Sequence, residues 1–109
     1  MAVAGPNSNY TVSDIETIVK GSDVVVRMFT LNKGDRIPWH YHSESLDHYF
    51  VLEGTVTIET RSDDRLVLVN AGDRYKIEPG VAHSVSNVEE AVTRFILVQG
   101  VGKYDWLKA

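Results

Sequence analysis

The chain has 109 residues, no cysteine and a formal net charge of −4, with 43% hydrophobic and 24% charged residues. The lack of cysteine excludes disulfides, thiolate metal ligands and a cysteine nucleophile, so a bound metal must be held by nitrogen and oxygen atoms. The acidic balance argues against a nucleic-acid partner, and no membrane span is expected because no run of about 18 apolar residues occurs.

The first 20 residues are expected to form an N-terminal arm. Residues 1–12 are small and polar, which is typical of a loose arm or an edge strand. In residues 13–21, Ile15, Ile18 and Val19 recur at helical spacing, so a short helical turn and an irregular strand both fit. The start lacks the basic and apolar regions of a signal peptide, and together with the absent cysteines this favours a cytoplasmic protein.

The remainder of the chain alternates between β-branched or aromatic runs and turn residues. These runs occupy residues 23–31, 48–53, 55–60, 65–69, 74–78 and 92–98, with AHSVSNV before the last. A spacing of about 8 to 12 residues, broken by Gly, Pro, Asp and Asn, is typical of an all-β sandwich or barrel. No long helix fits between the strands, which argues against a parallel βαβ fold.

We expect one domain over residues 1–109, with the arm at 1–20, a barrel at 21–100 and a C-terminal tail at 101–109. The glycines that follow the last strand let the tail turn. Tyr104 and Trp106 are then expected to anchor the tail, either on the barrel or on a partner.

The segment IPWHYHSESLDHYF, residues 37–50, holds three of the four histidines. His40 and His42 are two residues apart, so in an extended strand both point to one side, as two neighbouring ligands of one metal ion require. Polar surface residues would give the same pattern. Asp47 and His48 are adjacent and should face opposite sides, so that only a bulge would bring both inward.

Two longer motifs resemble the two-part signature of the cupin superfamily. The first, GDRIPWHYHSESLDHYFVLEG, has glycine, H-x-H, an acidic residue and glycine at the family's spacing, with aspartate where glutamate is usual. The second, GDRYKIEPGVAHSVSN, has glycine, a P-x-G-like turn, histidine and asparagine, with Glu78 where the first proline is usual. The resemblance covers roughly residues 21–100 and implies an all-β, antiparallel jelly-roll barrel, also called a double-stranded β-helix.

The resemblance implies that the barrel mouth holds a divalent transition metal through His40, His42, Asp47 and His83. Three imidazoles and one carboxylate suit Fe, Mn, Ni, Co or Zn and leave positions open for water or substrate. Aspartate reaches about 1.3 Å less than glutamate, so the sequence does not decide which residue is the fourth ligand. Asp47 could bind directly or through water, His48 could replace it, or the site could hold three histidines only.

Alternation along the strands suggests further candidates. Tyr49 shares the side of Asp47 and is a candidate catalytic proton donor or acceptor, although a core tyrosine fits equally well. Arg36 has the parity of His40 and could bind an anionic substrate, although an exposed arginine is the commoner outcome. Two further sets each share one strand face, without the pattern saying which face is inward: Arg27, Phe29 and Leu31, and Phe95, Leu97 and Gln99.

Three functions fit the resemblance. One is a metal-dependent isomerase or lyase acting on a small sugar-like or hydroxy-carbonyl substrate; the others are an iron-dependent dioxygenase and a non-catalytic cupin that binds a metal or ligand. The segments DHYFVLEGTVTI and EPGVAHSVSN also resemble the cupin domain of type II phosphomannose isomerases, which hints at sugar chemistry. Small barrels of this family usually pair, so a homodimer is expected, with residues 1–12 able to extend a partner's sheet.

Overall fold

The computed structural model describes residues 3–4 and 11–109. Within these residues the chain forms twelve strands. They are β1 (Val3–Ala4), β2 (Thr11–Val12), β3 (Asp14–Lys20), β4 (Val24–Leu31), β5 (Arg36–Tyr41), β6 (Leu46–Glu53), β7 (Thr55–Thr60), β8 (Arg65–Asn70), β9 (Arg74–Ile77), β10 (His83–Ser86), β11 (Thr93–Gly100) and β12 (Leu107–Lys108). No helix in this part of the chain is long and apolar enough to cross a membrane.

The strands form two antiparallel sheets. The first has the order β1-β2-β5-β10-β7-β8, with β12 also paired to β5, and the second has the order β3-β4-β11-β6-β9. Neighbours in each sheet are often distant in sequence, as where β11 lies between β4 and β6. This arrangement confirms the predicted all-β jelly roll. The seven predicted runs coincide with β4 and with β6 to β11 to within a few residues, whereas β5 is not among them.

The core lies between the two sheets, because alternate residues of each strand point into the space that the sheets enclose. In the second sheet Phe29 and Phe95 stand opposite one another on β4 and β11, and their rings stack with centroids 5.2 Å apart. Ile58 and Val85 are paired in the same way on the first sheet and are fully buried. The sets left open by the sequence pattern, which contain Phe29 and Phe95, therefore face inward.

Residues 14–20 form an edge strand, so the helical alternative for this segment is wrong. β3 pairs with β4 and carries an irregularity between Thr17 and Val19. A bulge of this kind inserts a residue and shifts the alternation of the strand, so the three apolar residues do not lie on one buried face. Ile15 packs against the core, whereas Ile18 and Val19 are exposed.

The described part of the N-terminal arm pairs within its own chain. Val3–Ala4 pairs with Thr11–Val12, and Thr11 pairs with Arg36 of β5. Val12 is completely buried in the core. Residues 1–2 and 5–10 lie outside the described part, and strand exchange by the arm with a partner chain stays a prediction.

A tight turn at Gly54 joins β6 to β7. Its φ is +75°, and a Cβ added there would lie 2.4 Å from the carbonyl oxygen of Val92. Both the backbone conformation and the missing space therefore require glycine. Gly54 is the last residue of the first motif, and this turn explains why the motif has glycine there.

Candidate metal centre

Four polar side chains converge at one end of the space between the sheets. His40 on β5 and His83 on β10 are direct cross-strand partners in the first sheet, and His42 follows β5 by one residue. Asp47 projects from β6 of the second sheet towards them. Each offers one ligand atom, and these atoms all lie within 4.8 Å of one another, while the four residues are at most 3% exposed.

All three histidine rings are oriented by backbone carbonyl groups. Nδ1 of His40 donates to the oxygen of Pro38 at 2.7 Å, and Nδ1 of His83 donates to the oxygen of Val81 at 2.8 Å. Nδ1 of His42 donates to the oxygen of Asp105. Because a carbonyl can only accept, each Nδ1 carries the hydrogen, and each Nε2 is left for the cluster, an arrangement typical of metal-binding histidines.

The carboxylate of Asp47 lies at ligand-to-ligand distances from two of these rings. Its Oδ2 is 3.0 Å from Nε2 of His83 and 3.3 Å from Nε2 of His42. Adjacent ligands of an ion with bonds near 2.1 Å lie about 3.0 Å apart when the angle between them is a right angle. Aspartate is therefore long enough to bring an oxygen to the cluster, despite the methylene that it lacks relative to glutamate.

Two inward-facing neighbours complete the hydrogen bonding of Asp47. The Tyr49 hydroxyl donates to Oδ2 at 2.9 Å, and Nε2 of Gln99 donates to Oδ1 at 3.0 Å. Gln99 stands directly opposite Asp47 on β11, and its own Oε1 accepts from the Arg27 guanidinium. A buried carboxylate is thus held by neutral donors as well as by the histidines.

The protonation states favour metal binding at two of the four residues. Burial and, to a smaller extent, the neighbouring His83 lower the pKa of His40 to about 3, so His40 is a neutral imidazole at pH 7. Burial raises the pKa of Asp47, but hydrogen bonds from His42 and His83 outweigh this and hold it well below its usual range. A neutral imidazole and an ionised carboxylate are the forms that bind a metal.

His42 differs from His40 because it is closer to the carboxylate. Burial lowers the pKa of His42, but its hydrogen bond to Asp47 and the charge of Asp47 raise that pKa above the ordinary value. The raised pKa favours the protonated form of this ring, so a metal ion held there would compete with a proton that Asp47 stabilises.

The C-terminal tail covers the cluster. The Trp106 ring stacks on His40 with centroids 4.9 Å apart, and the Tyr104 ring lies 5.3 Å from that of His42. Between them, the carboxylate of Asp105 accepts from the backbone N–H of Ser43 at 2.8 Å and from its hydroxyl. The two aromatic residues thus contact the rest of their own chain, one of the two outcomes left open by the sequence pattern.

The structure separates the remaining candidates. Tyr49 faces the cluster and is 1% exposed, whereas His48 points to the other side of β6 and stacks on Phe50 with ring centroids 4.4 Å apart. His48 is therefore not the fourth member of the cluster. Arg36 is exposed.

Sequence reasoning assigned no role to Gln99 or Asp105. For Gln99 a signal existed, since an amide on a face otherwise made of Phe95 and Leu97 must find a buried partner. No comparable signal marked Asp105, because its contacts with His42 and Ser43 arise only when the tail folds back over the mouth.

A family model described as the cupin domain matches residues 27–99. The chain belongs to the cupin family. The match spans both histidine-containing motifs. It also includes nearly all of β5, β6, β10 and β11, which carry most of the cluster and its neighbours. No curated protein matches the chain significantly.

Several solved structures share the fold of this chain. A conserved protein of Klebsiella pneumoniae with a double-stranded β-helix domain has a TM-score of 0.76 at 22% identity, covering 85% of this chain and 81% of that one. An RmlC-like cupin family protein of Methanocaldococcus jannaschii has a TM-score of 0.74 at 20% identity, covering 94% and 90%. An oxalate decarboxylase of Lactobacillus farciminis, in complex with formate, has a TM-score of 0.69 at 18% identity, covering 80% of this chain and 27% of that one.

Proposed function

We propose that this cupin binds one divalent transition metal through His40, His42, Asp47 and His83 and acts as an isomerase or lyase on a small hydroxy-carbonyl or sugar-like compound. Fe, Mn, Ni, Co and Zn all suit three imidazoles and one carboxylate. When bound, such an ion would polarise a substrate carbonyl or hydroxyl group and stabilise negative charge that develops on it.

The observation that carries the metal site is the approach of two imidazole nitrogens to a single carboxylate oxygen. Nε2 of His42 and Nε2 of His83 both lie within 3.3 Å of Oδ2 of Asp47, while both Nδ1 atoms already donate to carbonyls. Each Nε2 therefore needs a proton or a cation between itself and Oδ2. One divalent ion would satisfy both contacts without forming two buried imidazolium ions.

Tyr49 is the residue we propose for proton transfer. Its hydroxyl is buried beside the cluster and donates to Oδ2 of Asp47 at 2.9 Å. A phenol in this position can donate a hydrogen bond to a developing oxyanion or pass a proton to a neighbouring carbon or oxygen. Gln99 holds the other carboxylate oxygen, so Asp47 keeps its orientation while Tyr49 exchanges partners.

A lyase activity has support from one structural neighbour. The oxalate decarboxylase of Lactobacillus farciminis shares the fold, and its name describes cleavage of a carbon–carbon bond in a small acid. Such chemistry again needs stabilisation of negative charge on the substrate and delivery of one proton. The chain spans 27% of that enzyme, so the likeness supports the class of chemistry and not the substrate.

Elemental analysis of protein purified without a chelator tests the metal site. We expect about one equivalent of Fe, Mn, Ni, Co or Zn in the wild type and almost none in His40→Ala. His48→Ala is the matched control, because it removes the same side chain from the opposite face of β6. Thermal unfolding gives a second readout, since an ion that binds only the folded chain must raise the melting temperature.

The outcomes separate the possible functions. Metal without oxygen uptake in the presence of hydroxy acids or sugar acids agrees with the isomerase or lyase proposal. Iron together with oxygen consumption would replace it with a dioxygenase. Protein that carries no metal, and whose melting temperature no divalent ion raises, would contradict the metal site and leave a ligand-binding cupin.

A further inference from the structure

A cavity of about 400 Å³ opens beside the metal centre. Its lining includes Lys20 at the end of β3, Asp23 in the turn that follows, Arg27 within β4, and Lys103 and Tyr104 of the tail. The volume falls in the range of small-molecule sites, roughly 300–1,000 Å³. The sequence motifs include none of these residues.

Two of the lining residues connect the cavity to the cluster. The Tyr104 ring contacts the ring of His42, and the Arg27 guanidinium donates to Gln99, whose amide donates to Asp47. Arg27 also lies under the Tyr104 ring, with Cζ 5.0 Å from its centroid. The cavity is thus one side chain away from two of the predicted metal ligands.

The cavity is positively charged in a chain that is acidic as a whole. Three cationic side chains line it, those of Lys20, Arg27 and Lys103, against the single carboxylate of Asp23. The chain carries a net charge of −4, so this local excess does not follow from composition. A concave surface lined by charge of one sign concentrates ligands of the opposite sign.

Arg27 has hydrogen-bonding capacity left over. Its Nη2 donates to the neutral amide of Gln99, which leaves the charge of Arg27 without a counter-ion among the described residues at the cavity that it lines. None of the ion pairs in this part of the chain includes Arg27. A guanidinium that is held in place by two aromatic rings and has no carboxylate partner is suited to bind an oxyanion.

We propose that this cavity binds the anionic group, a carboxylate or a phosphate, of the small molecule on which the metal centre acts, with Arg27 as its main contact. The proposal deepens the proposed function and rests on it for the ligand's role as a substrate. Anion binding itself requires only the cavity. Tyr104 lies between the cavity and His42, so a ligand bound in both places would have to displace this ring.

Titration of the protein with malonate and, separately, with inorganic phosphate tests the site, at constant ionic strength and with chloride as the reference anion. Backbone amide NMR signals of the wild type should shift in residues 20–27 and 102–104. Arg27→Gln should weaken the affinity for the effective anion by at least about tenfold, because a charge-assisted contact is lost. Arg36→Gln is the matched control, since it removes the same charge at an exposed position outside the cavity.

The malonate and phosphate titrations distinguish the two kinds of anionic group. Binding of malonate alone indicates a carboxylic acid, and binding of phosphate alone indicates a phosphorylated compound. Signal shifts scattered over the surface, or equal affinities in Arg27→Gln and Arg36→Gln, would overturn the proposal. If Arg27→Gln does not fold, Lys103→Gln on the exposed rim should still weaken binding severalfold.

The titrations are made on chelator-treated and on metal-loaded protein. Anion binding by a protein that takes up no added divalent metal would support the cavity and contradict the proposed metal function. Metal content without anion binding would do the reverse, so failure of either idea is visible without the other.

Discussion

The two ends of the space between the sheets are built by the same strands but differ in chemistry. Along β6 the inward residues change from Asp47 to Val51, and along the antiparallel β11 they change from Gln99 to Phe95. Every change runs from a polar end to an apolar end, and burial is nearly complete at both. The side chains of the cluster are tolerated at the polar end because they hydrogen-bond to one another and to their neighbours, and because a metal ion could replace the protons between them.

The comparison teaches that burial alone does not distinguish a core from a site. The apolar end is stabilised by removing carbon from water, which is not directional and tolerates some repacking. The polar end depends on specific contacts, such as Nδ1 of His40 on Pro38 and Gln99 on Asp47. Substitutions at the apolar end should therefore change stability, whereas those at the polar end should mainly change ligand binding.

The largest effect is expected at the apolar end. Phe95→Ala should lower the free energy of unfolding by about 3–5 kcal/mol, because it removes a fully buried ring stacked on Phe29 and leaves a cavity. Urea unfolding measures this. Leu52→Ala, at a half-exposed position on β6, is the control and should cost far less. Equal losses of unfolding free energy in the two variants would contradict the stabilising role of the apolar end.

At the polar end, Asp47→Asn should weaken metal affinity by at least about 100-fold, since it keeps the shape of the side chain but removes a charged ligand. Competition with a chelating dye measures the affinity. Asn70→Asp is the control. It exchanges an amide for a carboxylate at an exposed position on β8, outside the cluster, and should leave the metal affinity unchanged. Full metal affinity in Asp47→Asn would remove Asp47 from direct coordination and favour the three-histidine site.

A smaller effect is expected from the tail. Asp105→Ala removes the carboxylate that accepts from Ser43 and so loosens the carbonyl that orients His42. Loss of such support typically reduces metal affinity by about 10- to 100-fold, and the lower part of that range applies because the carbonyl itself remains. Asp14→Ala, an exposed aspartate on β3, serves as the comparison. Unchanged affinity would mean that the tail covers the cluster without supporting it.

Tyr49→Phe should change stability less than Phe95→Ala does. The variant keeps the buried ring and removes the hydroxyl that donates to Asp47, at a cost of about 1–2 kcal/mol in the free energy of unfolding. Metal content should persist, while any isomerase or lyase activity should fall. Tyr75→Phe, which changes the cross-strand neighbour of Tyr49 on β9, controls for loss of a tyrosine hydroxyl. Activity that survives in Tyr49→Phe would exclude this residue from proton transfer.

Local patterns in the sequence were sufficient for most of the strands and for the pairing of His40 with His42, whereas the addition of Asp47 and His83 to the cluster came from the resemblance to the cupin motifs. His40 and His42 share a side because alternation along a strand is a property of neighbouring residues, and the same rule separates His48 from Asp47. Alternation did not identify the strand at residues 14–20, because a bulge in β3 interrupts it there.

Contacts between distant parts of the chain were decided by the tertiary structure alone. Gln99 meets Asp47 because β11 lies beside β6, and Asp105 meets His42 because the tail turns back over the mouth. The position of Arg27 beside the cavity depends on the same strand order. Alternation tells which side of its own strand a residue occupies, but the residue that it faces across 50 or more positions follows only from how the sheets pack.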